Sequence, residues 1–152
     1  MLYQFIMATI ECYVPAMSAE DISITAESFS RSDSFTGVTI LSGVSLRSTQ
    51  TLRSIAEAAS EKFILIYTKD LPLEMGLFAL DRFIAVAEDT KADMLYADHY
   101  RLVSDADGNQ VRKKHPLIDC QKGALRNDFD FGTVLVFRTS SFVQAVEAME
   151  TD

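Results

Sequence analysis

A chain of 152 residues, 48% hydrophobic and 24% charged, has the length and balance of one soluble globular domain with a real core. Its 22 acidic and 14 basic side chains leave a net charge of −8, which removes the sequence-independent attraction behind most nucleic-acid binding. Small phosphorylated ligands are not excluded, because a divalent cation inverts the local charge. Cys12 and Cys120 lie far apart and read as free thiols, and His99 and His115 define no zinc spacing. The stretch Met1 to Ile10 is apolar but has no basic region ahead of it and is interrupted by Gln4 and Thr9, so it fails as a signal peptide. No segment approaches the roughly twenty apolar residues of a membrane span. The expected setting is cytoplasmic.

In chain order, Ile10 to Val14 is a β-rich run stopped by Pro15, and Ser18 followed three residues later by Asp21 opens a helix. Ile22, Ala26 and Phe29 give that helix one buried stripe, and the polar run Ser30 to Ser34 ends it. Val38 to Leu41 reads as a second strand followed by a loop with Gly43. Ser48 or Thr49 caps a further helix bearing Leu52, Ile55, Ala56 and Ala59. Phe63 to Tyr67 is apolar on both faces, which predicts the centre of a sheet covered by helices on both sides.

After the acidic loop Thr68-Lys69-Asp70, a helix is expected to start at Pro72, with Leu73, Leu77, Leu80, Ile84 and Ala87 on one face. Met94 to Ala97 is another strand, leaving Asp98 at its end. Tyr100 to Val103 and Gln110 to Lys113 flank the turn Asp105-Ala106-Asp107-Gly108 as a hairpin. A long polar loop leads to a buried strand from Thr133 to Phe137, and Ser140 or Ser141 caps a last helix with Phe142, Val146 and Met149. The fold class expected is α/β: a mainly parallel, right-handed Rossmann-like sheet flanked by helices, with a hairpin and a long acidic loop in the second half.

Ligands of open α/β sheets bind outside the carboxyl ends of the strands, which directs attention to Asp70, Asp98, Asp128 and Asp130. Carboxylates there suit Mg²⁺ or Mn²⁺ shared with substrate phosphates. Asp70 also has an ordinary reading as the cap of the helix that follows it. In the loop from His115 to Gly132, Arg126 could grip a phosphate, and Phe129 or Phe131 could offer an apolar platform or simply anchor the loop. His115 has the right titration range for acid-base work but stands before proline with no evident ligand neighbours, and Cys120 lacks an activating partner.

The order of elements resembles the GT-A fold of family 2 glycosyltransferases, particularly the divergent glycosyltransferase-like proteins of the Bacteroidetes. In that family an apolar strand such as Phe63 to Tyr67 runs into an Asp-X-Asp motif that holds Mn²⁺ or Mg²⁺ against a nucleotide diphosphate. The corresponding tripeptide here is Thr68-Lys69-Asp70. Ala92 to Asp98 is similar to the family's next strand, and Gly132 to Arg138 to its later glycine-strand-arginine segment. The resemblance covers most of the chain, as one domain with a nucleotide-side half, 1–98, and an acceptor-side half, 99–152.

It implies transfer of a sugar from a nucleotide diphosphate donor to a glycan or other hydroxyl acceptor. Asp70 would contact metal, Lys69, Asp98 and Arg126 the substrate, and Asp128 or Asp130 would do the acid-base work. Two departures accompany it. Thr68 replaces the first motif aspartate, and Glu147 and Glu150 do not reproduce the acidic base motif that inverting members carry past the segment matching Phe137-Arg138. The resemblance therefore also implies an alternative, a catalytically silent nucleotide-sugar-binding or assembly module of a longer protein, truncated at its carboxyl end. A flavodoxin-like doubly wound domain is a further alternative, favoured by the βα alternation but not by the hairpin and acidic loop. Donor sugar, acceptor and oligomeric state are not readable from these residues.

Overall fold

The structure, a computed structural model, describes residues 7–123 and 125–150. Strand β1 is Ile10–Pro15, helix α1 Ala19–Phe29, strand β2 Phe35–Leu41, helix α2 Thr49–Ala58 and strand β3 Phe63–Tyr67. They are followed by helix α3 Ala79–Thr90, strand β4 Met94–Tyr96, the hairpin strands β5 His99–Ser104 and β6 Gln110–His115, strand β7 Val134–Arg138 and helix α4 Thr139–Glu147. Five strands form one sheet in the order β2-β1-β3-β7-β4, and β5 and β6 form a separate two-stranded ribbon. The sheet is mixed. β1 pairs in parallel with β2 and β3, whereas β7 runs antiparallel between β3 and β4. The expectation of a mainly parallel sheet holds for strand direction but not for pairing, because the chain returns through the long loop and enters β7 from the carboxyl edge.

β3 is central, and all five of its side chains are buried. Alternation sends Phe63, Leu65 and Tyr67 to one face, where they meet α1 and α3 through Phe29, Leu80, Ile84 and Ala87. Ile64 and Ile66 go to the other face, against Ile55 of α2 and Phe142 and Val146 of α4. Burying each such side chain stabilises the fold by about 1.5–3 kcal/mol, so β3 is the mechanical centre of the domain. The Ser18 side chain accepts a hydrogen bond from the Asp21 amide, as the sequence predicts. Ser48 occupies the cap of α2 without a side-chain cap bond. The last helix begins one residue earlier than Ser140, directly off β7, and Ser141 is turned instead to the carboxylate of Asp93.

The largest difference from the sequence expectation lies between Asp70 and Ala79. No helix starts at Pro72, and residues 71–78 are irregular. Their backbone is held by α1: the Leu73 amide donates to Thr25 Oγ1 (3.0 Å), the Met75 amide to Ser28 Oγ (3.2 Å), and Ser28 Oγ donates to the Leu73 carbonyl (3.2 Å). These hydroxyls satisfy groups that a helix would otherwise bond to itself, so tertiary contacts override the local helical pattern. Leu77, expected on the buried stripe, is exposed, and only Leu80, Ile84 and Ala87 of that stripe lie on α3. Thr25 and Ser28 are correspondingly buried on α1, a polar side of the helix that the apolar stripe did not predict.

The two crossovers that flank β3 also differ in hand. The β2-α2-β3 and β3-α3-β4 connections advance in one direction across the sheet yet pass over opposite faces, so they have opposite hands. A uniformly right-handed topology was expected. Segment 71–78, fastened to α1, carries the chain over α1's face before α3 can form.

Candidate functional site at the carboxyl edge of the sheet

β1 leads outward to β2 on one side, while β3 lies on the other, so the strand order reverses between β1 and β3. Such switch points leave a crevice outside the carboxyl ends of the strands. Here it is a cleft of about 230 Å³ walled by Pro15, Leu41, Leu46, Arg47 and Thr68, the ends of β1, β2 and β3 and the loop before α2. Gly43 in that loop has φ 68°, a left-handed backbone that glycine adopts without cost. Among the described residues, neither Arg47 in the cleft wall nor Lys69, next in sequence to Thr68, has an ion-pair partner.

Thr68 joins this cleft to the other side of the edge. Its amide and its hydroxyl both donate to the Thr133 carbonyl, at 2.9 and 3.3 Å. Extending the β4-β7 register by two residues sets Asp98 opposite the same Thr133. Two strand spacings, about 10 Å, therefore separate Thr68 from Asp98. Asp70 lies just past Thr68, exposed, and its charge adds to burial in pushing the Tyr67 phenol up to about 12. The capping role for Asp70 does not survive: α3 starts at Ala79, and the residue at its cap is Phe78 in a left-handed conformation, φ 61°.

Beyond Thr133 the site is built by side chains holding loop backbone. Asp130 Oδ1 accepts from the Gly132 amide, and its Oδ2 lies 2.8 Å from His115 Nε2. That imidazole bond, with the Gly132 amide second, holds the Asp130 carboxyl below its usual range. The His99 and His115 rings are in contact, centroids 4.6 Å apart and planes tilted by 41°, with burial first and the neighbouring His115 second in lowering the His99 pKa. Gly132 has φ 78°, a left-handed backbone that favours glycine, and a Cβ there would push on the Leu117 side chain, 2.7 Å from Cδ1. Tyr96, Phe129 and Phe131 form an edge-to-face cluster at the end of β4, and the Tyr96 hydroxyl donates to the Ile118 carbonyl.

The expected site residues thus divide. Lys69, Asp70, Asp98 and Asp130 are gathered along one edge; Asp98 Oδ1 is also engaged by the Leu117 amide at 2.7 Å. Arg126 and Asp128 are not part of that line of groups. They pair with each other at 3.4 Å, with side chains 81% and 76% exposed, so each neutralises the other in solvent. The long loop is anchored by its aromatic residues, the ordinary reading of Phe129 and Phe131. Arg138, in the segment similar to the family's glycine-strand-arginine stretch, lies at the opposite end of β7, donating to the Ala87 carbonyl and facing Glu88.

Sequence reasoning missed Arg47 and the coupling of His99, His115 and Asp130. The histidines are 16 positions apart in the chain and become neighbours because the hairpin register sets His99 opposite His115. The hairpin pattern was the available signal, extended by one residue before Tyr100 and by two beyond Lys113. The sequence matches no protein-family model and no curated protein. Among the described residues, no three His, Cys, Asp or Glu side chains converge as a metal donor set, and no helix is long and apolar enough to cross a membrane.

Proposed function

We propose that this is a GT-A-like domain that binds a nucleotide diphosphate sugar across the carboxyl edge of its sheet and transfers the sugar to an acceptor hydroxyl. The supporting observation is the switch-point cleft, with the cation Arg47 in its wall and Lys69 following Thr68 in the chain, neither with an ion-pair partner among the described residues. In this reading the base and ribose occupy the cleft and the diphosphate extends over Thr68 towards Asp98. Arg47 and Lys69 offset phosphate charge; an arginine there can bind two oxygens at once. If a Mg²⁺ or Mn²⁺ ion came with the diphosphate, Asp70 would be the protein carboxylate to hold it, and the ion would supply neutralisation of phosphate charge. One carboxylate makes a poor metal site, and the steps below do not depend on it.

In transfer, the acceptor oxygen bonds to the anomeric carbon as the bond from that carbon to the diphosphate breaks. The electron pair leaves on the diphosphate, where the two cations stabilise it. The acceptor's proton goes to His115. Asp130, held ionised, is a weak base itself but fixes Nε2–H of the imidazole as a donor, leaving Nδ1 to take the proton. Arg126 and Asp128 have no role in this scheme. Two free thiols, Cys12 and Cys120, fit a reducing compartment such as the cytoplasm.

Thr68 favours a second reading, binding without turnover, because a hydroxyl replaces a charged ligand beside the diphosphate. Calorimetric titration with UDP- and GDP-sugars, with and without Mn²⁺, tests both. Micromolar binding weakened about tenfold by Arg47→Ala or Lys69→Ala, the size of one charge-assisted hydrogen bond, supports the cleft. Donor consumption in the presence of acceptor distinguishes transfer from silent binding. No affinity for any nucleotide sugar overturns the proposal.

A further inference from the structure

The β5-β6 ribbon stands apart from the rest of this acidic chain. Residues 99–115 contain Arg101, Arg112, Lys113 and Lys114 against Asp105 and Asp107, four cations and two anions, net +2; the remaining residues therefore carry −10 of the chain's −8. Among the described residues none of the four cations has a carboxylate partner. The ribbon's strands pair with each other and not with the five-stranded sheet. The link described above, His115 to Asp130, ties its base to the domain.

Its two faces differ. Opposed residues share a face in an antiparallel pair, so His99, Arg101 and Val103 lie with His115, Lys113 and Val111 on one side. The other side carries Tyr100 and Leu102 with Lys114 and Arg112 directly opposite them. All four are exposed, Tyr100 at 60% and Leu102 at 65%. The tip cannot be the contact, because Asp105 and Asp107 sit there. Asp105 closes the turn, accepting from the Asp107 and Asn109 amides. What is offered is a side-on strip, two apolar groups between two cations.

We infer that this strip docks the domain on an anionic lipid bilayer, with Arg112 and Lys114 at the headgroup phosphates and Tyr100 and Leu102 in the interface. A bilayer supplies both halves of the complement, negative charge and hydrocarbon, and tyrosine favours that boundary. It also meets only one side of the molecule. Repulsion from acidic residues farther away than the Debye length, about 10 Å at 0.1 M salt, is screened. A nucleic acid could stack on Tyr100 but offers nothing to Leu102. This inference stands apart from nucleotide-sugar binding, and either can fail alone.

Flotation with phosphatidylcholine vesicles containing about a third phosphatidylglycerol tests it, against pure phosphatidylcholine vesicles. The expected result is binding to the anionic vesicles only, reduced by raised salt. Each of Arg112→Gln and Lys114→Gln should weaken binding about fivefold, the effect of one basic residue near such a surface, and Tyr100→Ser with Leu102→Ser should weaken it again while circular dichroism stays unchanged. Should a variant unfold, the salt dependence of the unaltered protein remains decisive. Absence of binding to anionic vesicles, binding indifferent to salt, or binding unaltered in folded variants overturns the inference. So does equal affinity for an RNA oligonucleotide that the Tyr100→Ser/Leu102→Ser protein retains, which would assign the strip to polyanions.

Discussion

The carboxyl ends of β1, β2 and β3 and that of β4 open on the same edge of the sheet, yet they rest on different interactions. On the first side, parallel strands with buried alternating side chains deliver Pro15, Leu41 and Thr68 to a cleft, and the forces behind it are hydrophobic. On the second side, few side chains are fully buried. The loop and ribbon are held by Asp98 on the Leu117 amide, Asp130 on the Gly132 amide and His115, and Tyr96 on the Ile118 carbonyl. The contrast is between a rigid side and an adjustable one. Low-stability segments are where local opening and ligand-induced ordering occur.

Substitutions should separate the two sides by size of effect. Leu65→Ala in the buried centre of β3 should cost about 2–5 kcal/mol in denaturant unfolding, with the whole domain lost in one transition. Ser28→Ala leaves the Met75 amide without its acceptor in a buried position and should cost about 1–3 kcal/mol. If segment 71–78 were instead a strained helix, that substitution would stabilise the protein and raise its helical signal. Asp130→Asn should leave global unfolding within about 0.5 kcal/mol of the parent but accelerate amide exchange in β5 and β6 relative to β1 and β3. Equal exchange across both sheets would erase the distinction between the two sides.

The first side was largely legible in the sequence because its determinants are local. Continuous apolarity marked β3 as central, Ser18 and Asp21 marked the start of α1, and Pro15 the end of β1. The second side and the approach to α3 were not, because their determinants are side chains bonding to backbone far away in the chain. The pattern Leu73, Leu77, Leu80 is a sound helical stripe until Thr25 and Ser28, nearly fifty residues earlier, claim its first turn. The antiparallel entry of β7 has no signature in its own five residues. Of the candidate site, acids at strand ends were found by position, whereas Arg47 needed the loop before α2 to fold back over the cleft. The pairing of Arg126 with Asp128, two residues apart, was open to the eye and would have reduced both candidates.

Acid pH provides a smaller effect on the same contrast. The folded-state pKa of His99 lies below the usual imidazole value, chiefly through burial, so the unfolded chain binds the proton more readily. Its contribution to stability is complete above about pH 6.5 and is lost as pH falls through the lowered folded value. Asp130 adds a second loss at lower pH, as its carboxyl titrates below the ordinary range. Proton-detected titration of the two imidazoles should show His99 titrating below 6.5, with resonances of β5 and β6 broadening before those of β1. Simultaneous change throughout the chain would contradict a weaker second side.

A nucleotide diphosphate seated at the switch point between β1 and β3, as proposed, would perturb the backbone around the cleft. Titrating ¹⁵N-labelled protein with UDP- and GDP-sugars and following amide shifts tests it residue by residue. Saturable shifts are expected at Val44, Leu46, Arg47, Thr68 and Lys69, with smaller ones at Asp98 and Gly132, all abolished by Arg47→Ala together with Lys69→Ala. Shifts confined to the hairpin, or none at millimolar ligand, would contradict it.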